Sequence, residues 1–364
     1  MAFPTELPAS RVPDPMAAPP LRWGILGSGW IAEQFINSVK AHTRQVIAAV
    51  GSRSPETAEA FAAKWQIGKA HGSYEALVAD DSLDVIYVAT PHNLHHAHVL
   101  MALEAGRNVF CEKPLALDHA QAAEMVAKAR EKNLFLAEAL WSYFLPKFDV
   151  LEQVLDSGAL GEIRSVYADQ GEYLPRDHRI FDARLAGGPL LDLCTYPVSL
   201  LARLLGVPAQ MAGFKQDDPS GVHGQISVVM VTAAGSLGTM STTLYGTTPT
   251  DAVIVGTGGV VRFGSEFYQP GPFDVISTDG STVLHYDEPV ARHFDGLYYE
   301  AAEVARAIAA GKKVVAQRPL QDTLETMAVL DMIRKTVGIS FAAAGLPDTR
   351  SEPRRPSSGW RGHD

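Results

Sequence analysis

The sequence predicts an α/β chain of two parts: a doubly wound parallel sheet, then an α+β domain with a large, mostly antiparallel sheet. Short apolar runs alternate with helical stretches up to about residue 140, which is the grammar of a parallel sheet. Closely spaced strands joined by glycine or polar turns follow. A length of 364 residues also exceeds what one core usually organises.

In the first part, residues 21–26 are an apolar strand, followed by a glycine turn and a helix from Ile31. Residues 45–50 read as the second strand. Ser54-Pro55-Glu56 then starts a helix, with a serine cap, proline at the first position and an acid in the first turn. Strand 84–89, helix 95–105, strand 108–111, helix 119–132 and strand 134–137 complete a domain of residues 21–140. Beyond it the spacing predicts helix 148–156 and strands 163–172, 223–233, 236–245, 251–255 and 273–277. Helix 190–205 is inserted among these strands, and helices 298–310 and 320–337 close a second domain, residues 141–344. Residues 1–20, with six prolines from Pro4 to Pro20, and residues 345–364 read as disordered tails.

A net charge of −10 without a basic run argues against nucleic acid or an anionic membrane as the main partner. No apolar run reaches the length of a membrane span. Two cysteines, Cys111 and Cys194, make no disulfide framework, so a reducing, cytoplasmic compartment is expected. His92, His95, His96 and His98 lack a further ligand at sensible spacing, so no metal is expected.

Gly27-Ser28-Gly29-Trp30-Ile31-Ala32 fits G-x-G-x-x-G/A between a strand and a helix, where a dinucleotide's pyrophosphate meets backbone amides and the helix N-terminus. This is the Rossmann arrangement. An NAD site usually carries an acid about 20 residues further on, at the second strand's tip. Here the strand ends Val50-Gly51-Ser52-Arg53-Ser54. Arg53 suits a phosphate, with Ser52 and Ser54 in support, which predicts NADP over NAD. The alternatives are a solvated loop arginine, or Glu56 standing in as the acid.

Glu112-Lys113-Pro114 ends another strand, on the side where open sheets bind ligands. Lys113 there is a catalytic candidate, or a side chain merely reaching water. In Gly187-Gly188-Pro189-Leu190-Leu191-Asp192-Leu193-Cys194-Thr195-Tyr196, Asp192 and Tyr196 fall four apart on the predicted helix, hence on one face. The plain alternative is an aspartate satisfied by helix-end amides. Cys194 would face away from them, and both cysteines read as small buried hydrophobes.

Taken in order, Gly27–Ala32, Thr90-Pro91-His92, Glu112-Lys113-Pro114 and the 187–196 segment resemble the Gfo/Idh/MocA oxidoreductases over residues 21–344. The branch they resemble most holds the dimeric dihydrodiol dehydrogenases and NADP-dependent D-xylose dehydrogenases, on Trp141, the 155–161 stretch, Leu185–Gly188 and Tyr196, where inositol dehydrogenase-like members have histidine. The resemblance implies hydride transfer between the nicotinamide and a sugar, polyol or dihydrodiol, with Lys113 and Tyr196 as acid/base pair and Asp192 beside them. A nearby ammonium would lower the tyrosine's pKa. It implies that Thr90, Pro91, His92, His95 and Glu112 lie near the cofactor, while bare position makes His95, His96 and His98 helix-surface or capping groups. Trp141, Arg176, His178 and Arg179 are substrate-pocket candidates, with a solvated loop as the alternative for the last three, and a homodimer or homotetramer through the open sheet face is expected. Tyr143 stands where many relatives have arginine. Rival readings are a nucleotide-sugar ketoreductase, needing more basic residues near the pocket, and a non-enzymatic dinucleotide-binding regulator.

Overall fold

The structure is a computed structural model that describes residues 3–264, 266–288 and 294–346. Its first domain alternates β1 (Arg22–Leu26), α1 (Trp30–His42), β2 (Val46–Gly51), α2 (Pro55–Trp65), β3 (Lys69–His71), α3 (Tyr74–Val78), β4 (Val85–Val88), α4 (His95–Glu104), β5 (Asn108–Glu112), α5 (His119–Glu131) and β6 (Leu136–Ala139). The six strands pair in parallel in the order β3-β2-β1-β4-β5-β6. Helices cover both faces, so all four residues of β4 are buried, as the continuous apolar run required. The order reverses between β1 and β4, which opens a crevice at the strands' carboxyl ends.

The second domain holds α6 (Pro146–Asp156), β7 (Ile163–Gly171), α7 (Thr195–Leu205), β8 (Gln210–Asp217), β9 (His223–Val231), β10 (Leu237–Thr243), β11 (Ala252–Gly256), β12 (Gly259–Phe263), β13 (Phe273–Ser277), β14 (Val283–Tyr286), α8 (Leu297–Ala309) and α9 (Leu320–Val337). Its eight strands run β14-β13-β12-β11-β7-β10-β9-β8, antiparallel except for the parallel β7/β10 pair. Burial alternates along β9 and β10, because helices cover one face only. Three of these strands escaped the sequence reading. The edge strands β8 and β14 bury almost nothing, and β12 follows β11 after only two residues, Thr257 and Gly258.

Helix 190–205 begins later than expected. Residues 189–194 form a turn and α7 starts at Thr195. Pro197 then falls in the first turn, where a missing N–H leaves no bond unmade.

The expected tail at residues 1–20 is the larger departure, because residues 3–20 form a strap along the body. Phe3 packs beside Gly259, the Arg11 guanidinium pairs with Asp149 of α6, and Arg306 of α8 donates to the carbonyls of Pro13 and Asp14. Ala18 is fully buried, and Gln45 donates to Pro19 O while accepting from Leu21 N and the Trp23 indole. Its own composition favoured disorder, but partners on α6 and α8 override that preference. Of the expected C-terminal tail, residues 347–364 lie outside the described residues.

One apolar cluster runs through both domains. Among its polar inclusions, Arg318 donates to Glu138 at 2.8 and 3.0 Å with both side chains buried, and Thr323 joins the same carboxylate at 2.9 Å. This pair ties the end of β6 to the start of α9. Arg318→Met should strand the Glu138 charge and cost about 3–5 kcal/mol of stability, read from urea denaturation.

Candidate active site

The ends of five parallel strands deliver residues to one edge of the crevice. After β1, Gly27 turns at φ +107, and a Cβ there would sit 3.0 Å from Ala89 O, so only glycine fits. A Cβ on Gly29 would meet only Ala89 O, at 3.9 Å, so room is left above the turn for a ligand. Trp30 is the first residue of α1, whose leading amides have no partner within the helix and face that space. Ile31 is half-buried beside it. At the tip of β2, Ser52 is buried with its hydroxyl 3.4 Å from Ser28 Oγ, and Arg53 is exposed. Ser54 is occupied otherwise: its Oγ caps α2, accepting from Thr57 N. This glycine cradle with a basic second-strand tip fits a dinucleotide.

After β4 come Thr90, Pro91 and His92. Thr90 Oγ1 lies 3.0 Å from His98 Nδ1. His92 is buried and donates to Ala186 O at 3.3 Å, and burial lowers its pKa to about 4, so it is neutral. His95 lies with its ring nitrogens 2.8 Å from Pro114 O and Thr90 O, bracing the turns after β4 and β5. His95 and His98 are therefore buried, not surface groups. Only His96 sits outward, pairing with Glu124. Their packing against strand-end carbonyls left no trace in the local pattern.

Lys113 follows β5, before a cis bond to Pro114. Its Nζ donates to Asp192 Oδ1 at 2.8 Å and Asp192 O at 2.9 Å, and lies 4.9 Å from the centre of the Tyr196 ring. Lys113, Asp192 and Tyr196 thus converge, though Asp192 arrives from the turn before α7. Burial opposes charge on Asp192, but the Lys113 ammonium and the Arg179 guanidinium outweigh it and keep the carboxyl ionised, below the usual range. Arg179, named above only as a pocket candidate, reaches Asp192 Oδ2 at 3.3 Å with half of its side chain exposed.

The Tyr196 hydroxyl accepts from Trp141 Nε1 at 2.9 Å, and its ring stacks on Tyr268 at 4.2 Å. The expected lowering of its pKa is reversed. Burial first, then the Glu112 charge, push the phenol well above its ordinary value, and the ammonium faces the ring rather than the oxygen. Glu112 itself turns inward, accepting from Tyr87 OH and from Lys113 N, so it supports the strand end.

Glu300 was not foreseen. It is fully buried in α8, and among the described residues neither carboxyl oxygen has a hydrogen-bond partner. Burial and the neighbouring Glu112 raise its pKa well above the usual range, so it is a neutral acid.

Of the substrate candidates, Trp141 is buried, with its indole N–H on the Tyr196 hydroxyl. Arg176 and His178 sit further out: Arg176 pairs with Asp218 at 2.6 Å over the Phe181 ring, and His178 Nδ1 accepts from Ile180 N. With Arg179, Asp182 and Arg184 they line an open cavity of about 580 Å³. Tyr143 points away from the site, its ring between the Arg203 and Arg318 guanidiniums and its hydroxyl on Ser199 Oγ. Both thiols are buried and free, with Cys194 Sγ toward Met240.

Comparison with known proteins fits this arrangement. Residues 21–139 match the model described as an oxidoreductase family with an NAD-binding Rossmann fold, and residues 148–262 match the GFO/IDH/MocA C-terminal domain. The chain belongs to the Gfo/Idh/MocA oxidoreductase family. It is similar to trans-1,2-dihydrobenzene-1,2-diol dehydrogenases, at 34% identity to the Mus musculus protein and 32% to the Homo sapiens one, each covering 88% of this chain and 98% of the relative. In fold it is similar to a levoglucosan dehydrogenase solved with NADH and levoglucosan, at TM-score 0.79 and 19% identity. It is also similar to a 3-ketoreductase from Actinomadura kijaniata solved with NADP and TDP-benzene, at TM-score 0.74 and 24% identity. Each covers 88% of this chain and 98% of its own.

Within this family member, Glu300 makes stability depend on pH. The folded chain keeps a proton that the unfolded chain releases above pH 4.5, so the Glu300 contribution falls as pH rises. Glu300→Gln should flatten the decline of Tm between pH 5 and 9; parallel wild-type and variant curves would refute the neutral carboxyl.

Proposed function

We propose that this oxidoreductase transfers a hydride between NADP and the alcohol or carbonyl of a sugar, polyol or dihydrodiol, with Lys113 and Tyr196 as the acid/base pair. The observation that carries this is the Lys113 ammonium, fastened by Asp192 against the face of Tyr196 beside the glycine turn.

When bound, the nicotinamide supplies or accepts the hydride. The chain's own groups handle the proton. Trp141 occupies one lone pair of the Tyr196 oxygen, which leaves the phenolic O–H to donate to a substrate oxygen. Because burial keeps that phenol protonated, it is poised as the donor in reduction, with Lys113 holding positive charge alongside. In oxidation the Tyr196 phenol must first release its proton to solvent, and the phenolate beside the Lys113 ammonium then takes the hydroxyl proton. Asp192 positions the ammonium, and Gly27, Gly29 and the first amides of α1 would hold the diphosphate. Arg53 would pair with the 2′-phosphate, in support of Ser28 and Ser52.

The nucleotide-sugar ketoreductase reading gains Arg176, Arg179 and Arg184 around the open cavity. Asp218 pairs with Arg176, Asp182 pairs with Arg184, and Asp177 in the same lining offsets Arg179, so the cavity has no surplus positive charge and an uncharged substrate is favoured. The open sheet face carries Phe214, Tyr167, Val229 and Leu237, all exposed, and a second copy of the chain would cover it. With its buried free thiols, the enzyme suits the cytoplasm.

Lys113→Met and Tyr196→Phe should each lower kcat about 10²–10⁴-fold, with NADP affinity nearly unchanged. Arg53→Ala should erase the preference for NADP over NAD in kcat/KM. Wild-type turnover in both catalytic variants, or a wild-type preference for NAD, would overturn the respective assignment. Sedimentation at micromolar concentration checks the dimer, and a lone monomer would remove it.

A further inference from the structure

The turn that enters α8 touches both ends of the site. Trp30, in the glycine turn, is 59% exposed, unusual for so large an aromatic, and its principal ring contact is the edge of Phe294 at 4.7 Å and 85°. On its other side Phe294 lies 6.1 Å from Trp141, the donor to Tyr196. Phe294 therefore bridges the cofactor turn of one domain and the catalytic phenol's support in the other.

That bridge is held against a backbone cost. Phe294 has φ +72, a region costly for a bulky side chain, of order 1–3 kcal/mol, and tolerated only where the surroundings over-determine it. Those surroundings are visible. Ser38 Oγ of α1 donates to Asp295 O at 3.3 Å and accepts from Tyr298 N at 3.1 Å, capping α8 from the first domain. Tyr298 packs against the tilted His42 ring, with the ring centres 4.4 Å apart. Gly296 lies so close to Trp141 that a Cβ would sit 2.8 Å from its ring. The turn is thus pinned to α1 and to Trp141, which leaves Phe294 aimed at Trp30.

We propose that Phe294 clasps the dinucleotide: pressed against Trp30, it closes the glycine turn from the second domain and slows cofactor release. The inference rests on the dinucleotide reading above. Release of a diphosphate seated at the α1 N-terminus would require the ring pair to part. Such pairs contribute enough beyond their buried area to change affinity by about tenfold.

The test measures NADPH Kd and dissociation rate by fluorescence for wild type, Trp30→Ala, Phe294→Ala, Phe294→Gly and the Trp30→Ala/Phe294→Ala double variant. The expected result is a roughly tenfold weaker Kd in each single variant, mostly from faster dissociation, and no further loss in the double. KM for NADP should rise while kcat at saturation stays within about twofold, because the Trp141–Tyr196 bond remains. Phe294→Gly separates a clasp from packing, since glycine relieves the positive φ. Retained or higher Tm with weakened binding supports the clasp. Unchanged Kd and dissociation rate in Phe294→Gly, or additive losses in the double variant, overturn it. Failure of the wild type to bind either NADPH or NADH would instead remove the dinucleotide reading, and the clasp with it.

Discussion

Everything at this site hangs on the bond between Lys113 and Asp192. One partner ends a strand of the parallel sheet and the other sits in the turn before α7, so the pair joins the two domains where the chemistry is expected. A partly buried ion pair is worth little unless its geometry is good and the remaining valences are satisfied. Here Asp192 offers a carboxylate and a carbonyl to the same ammonium, and Arg179 takes the second carboxylate oxygen. The lysine is thereby held in one place, largely buried, and laid across the phenol. Gly188 shares in this arrangement: it turns at φ +96, and a Cβ there would strike the His223 imidazole, which accepts from Leu190 N.

The parallel sheet was legible because its strands are continuous apolar runs and a helix start such as Ser54-Pro55-Glu56 carries its own cap. The glycine turn and the lysine, aspartate and tyrosine were legible because they sit at strand ends or in a glycine-marked segment. What could not be read came from distant parts of the chain. Nothing local marks Tyr268 as the ring beneath Tyr196, nor Glu300 as a neutral acid. The direction of the tyrosine shift was misjudged for a related reason: proximity to a cation was inferred, but the cation's placement over the ring and the depth of burial were not. The strap was missed because proline-rich composition describes a segment alone, without the surfaces that receive it.

Tyr143 accounts for one departure from the relatives. Its ring lies between two guanidiniums, those of Arg203 and Arg318, each of them paired with carboxylates. An arginine in its place would bring a third cation into a nearly closed space. The aromatic instead offers a face to both. The position therefore serves the joint between α7, α9 and β6, and gives the substrate nothing directly.

The strap at residues 3–20 has a mechanical consequence. The two domains are already joined covalently at Trp141 and by the return of α9 against Glu138. A further fastening runs from the start of β12 past α6 and α8 to the foot of β1. A wide hinge would have to break these together, so adjustments around a ligand are confined to small sliding of packed helices. The open cavity beside the site, tied to it through Arg179 and Asp192, would then keep its shape with little parting of the two halves.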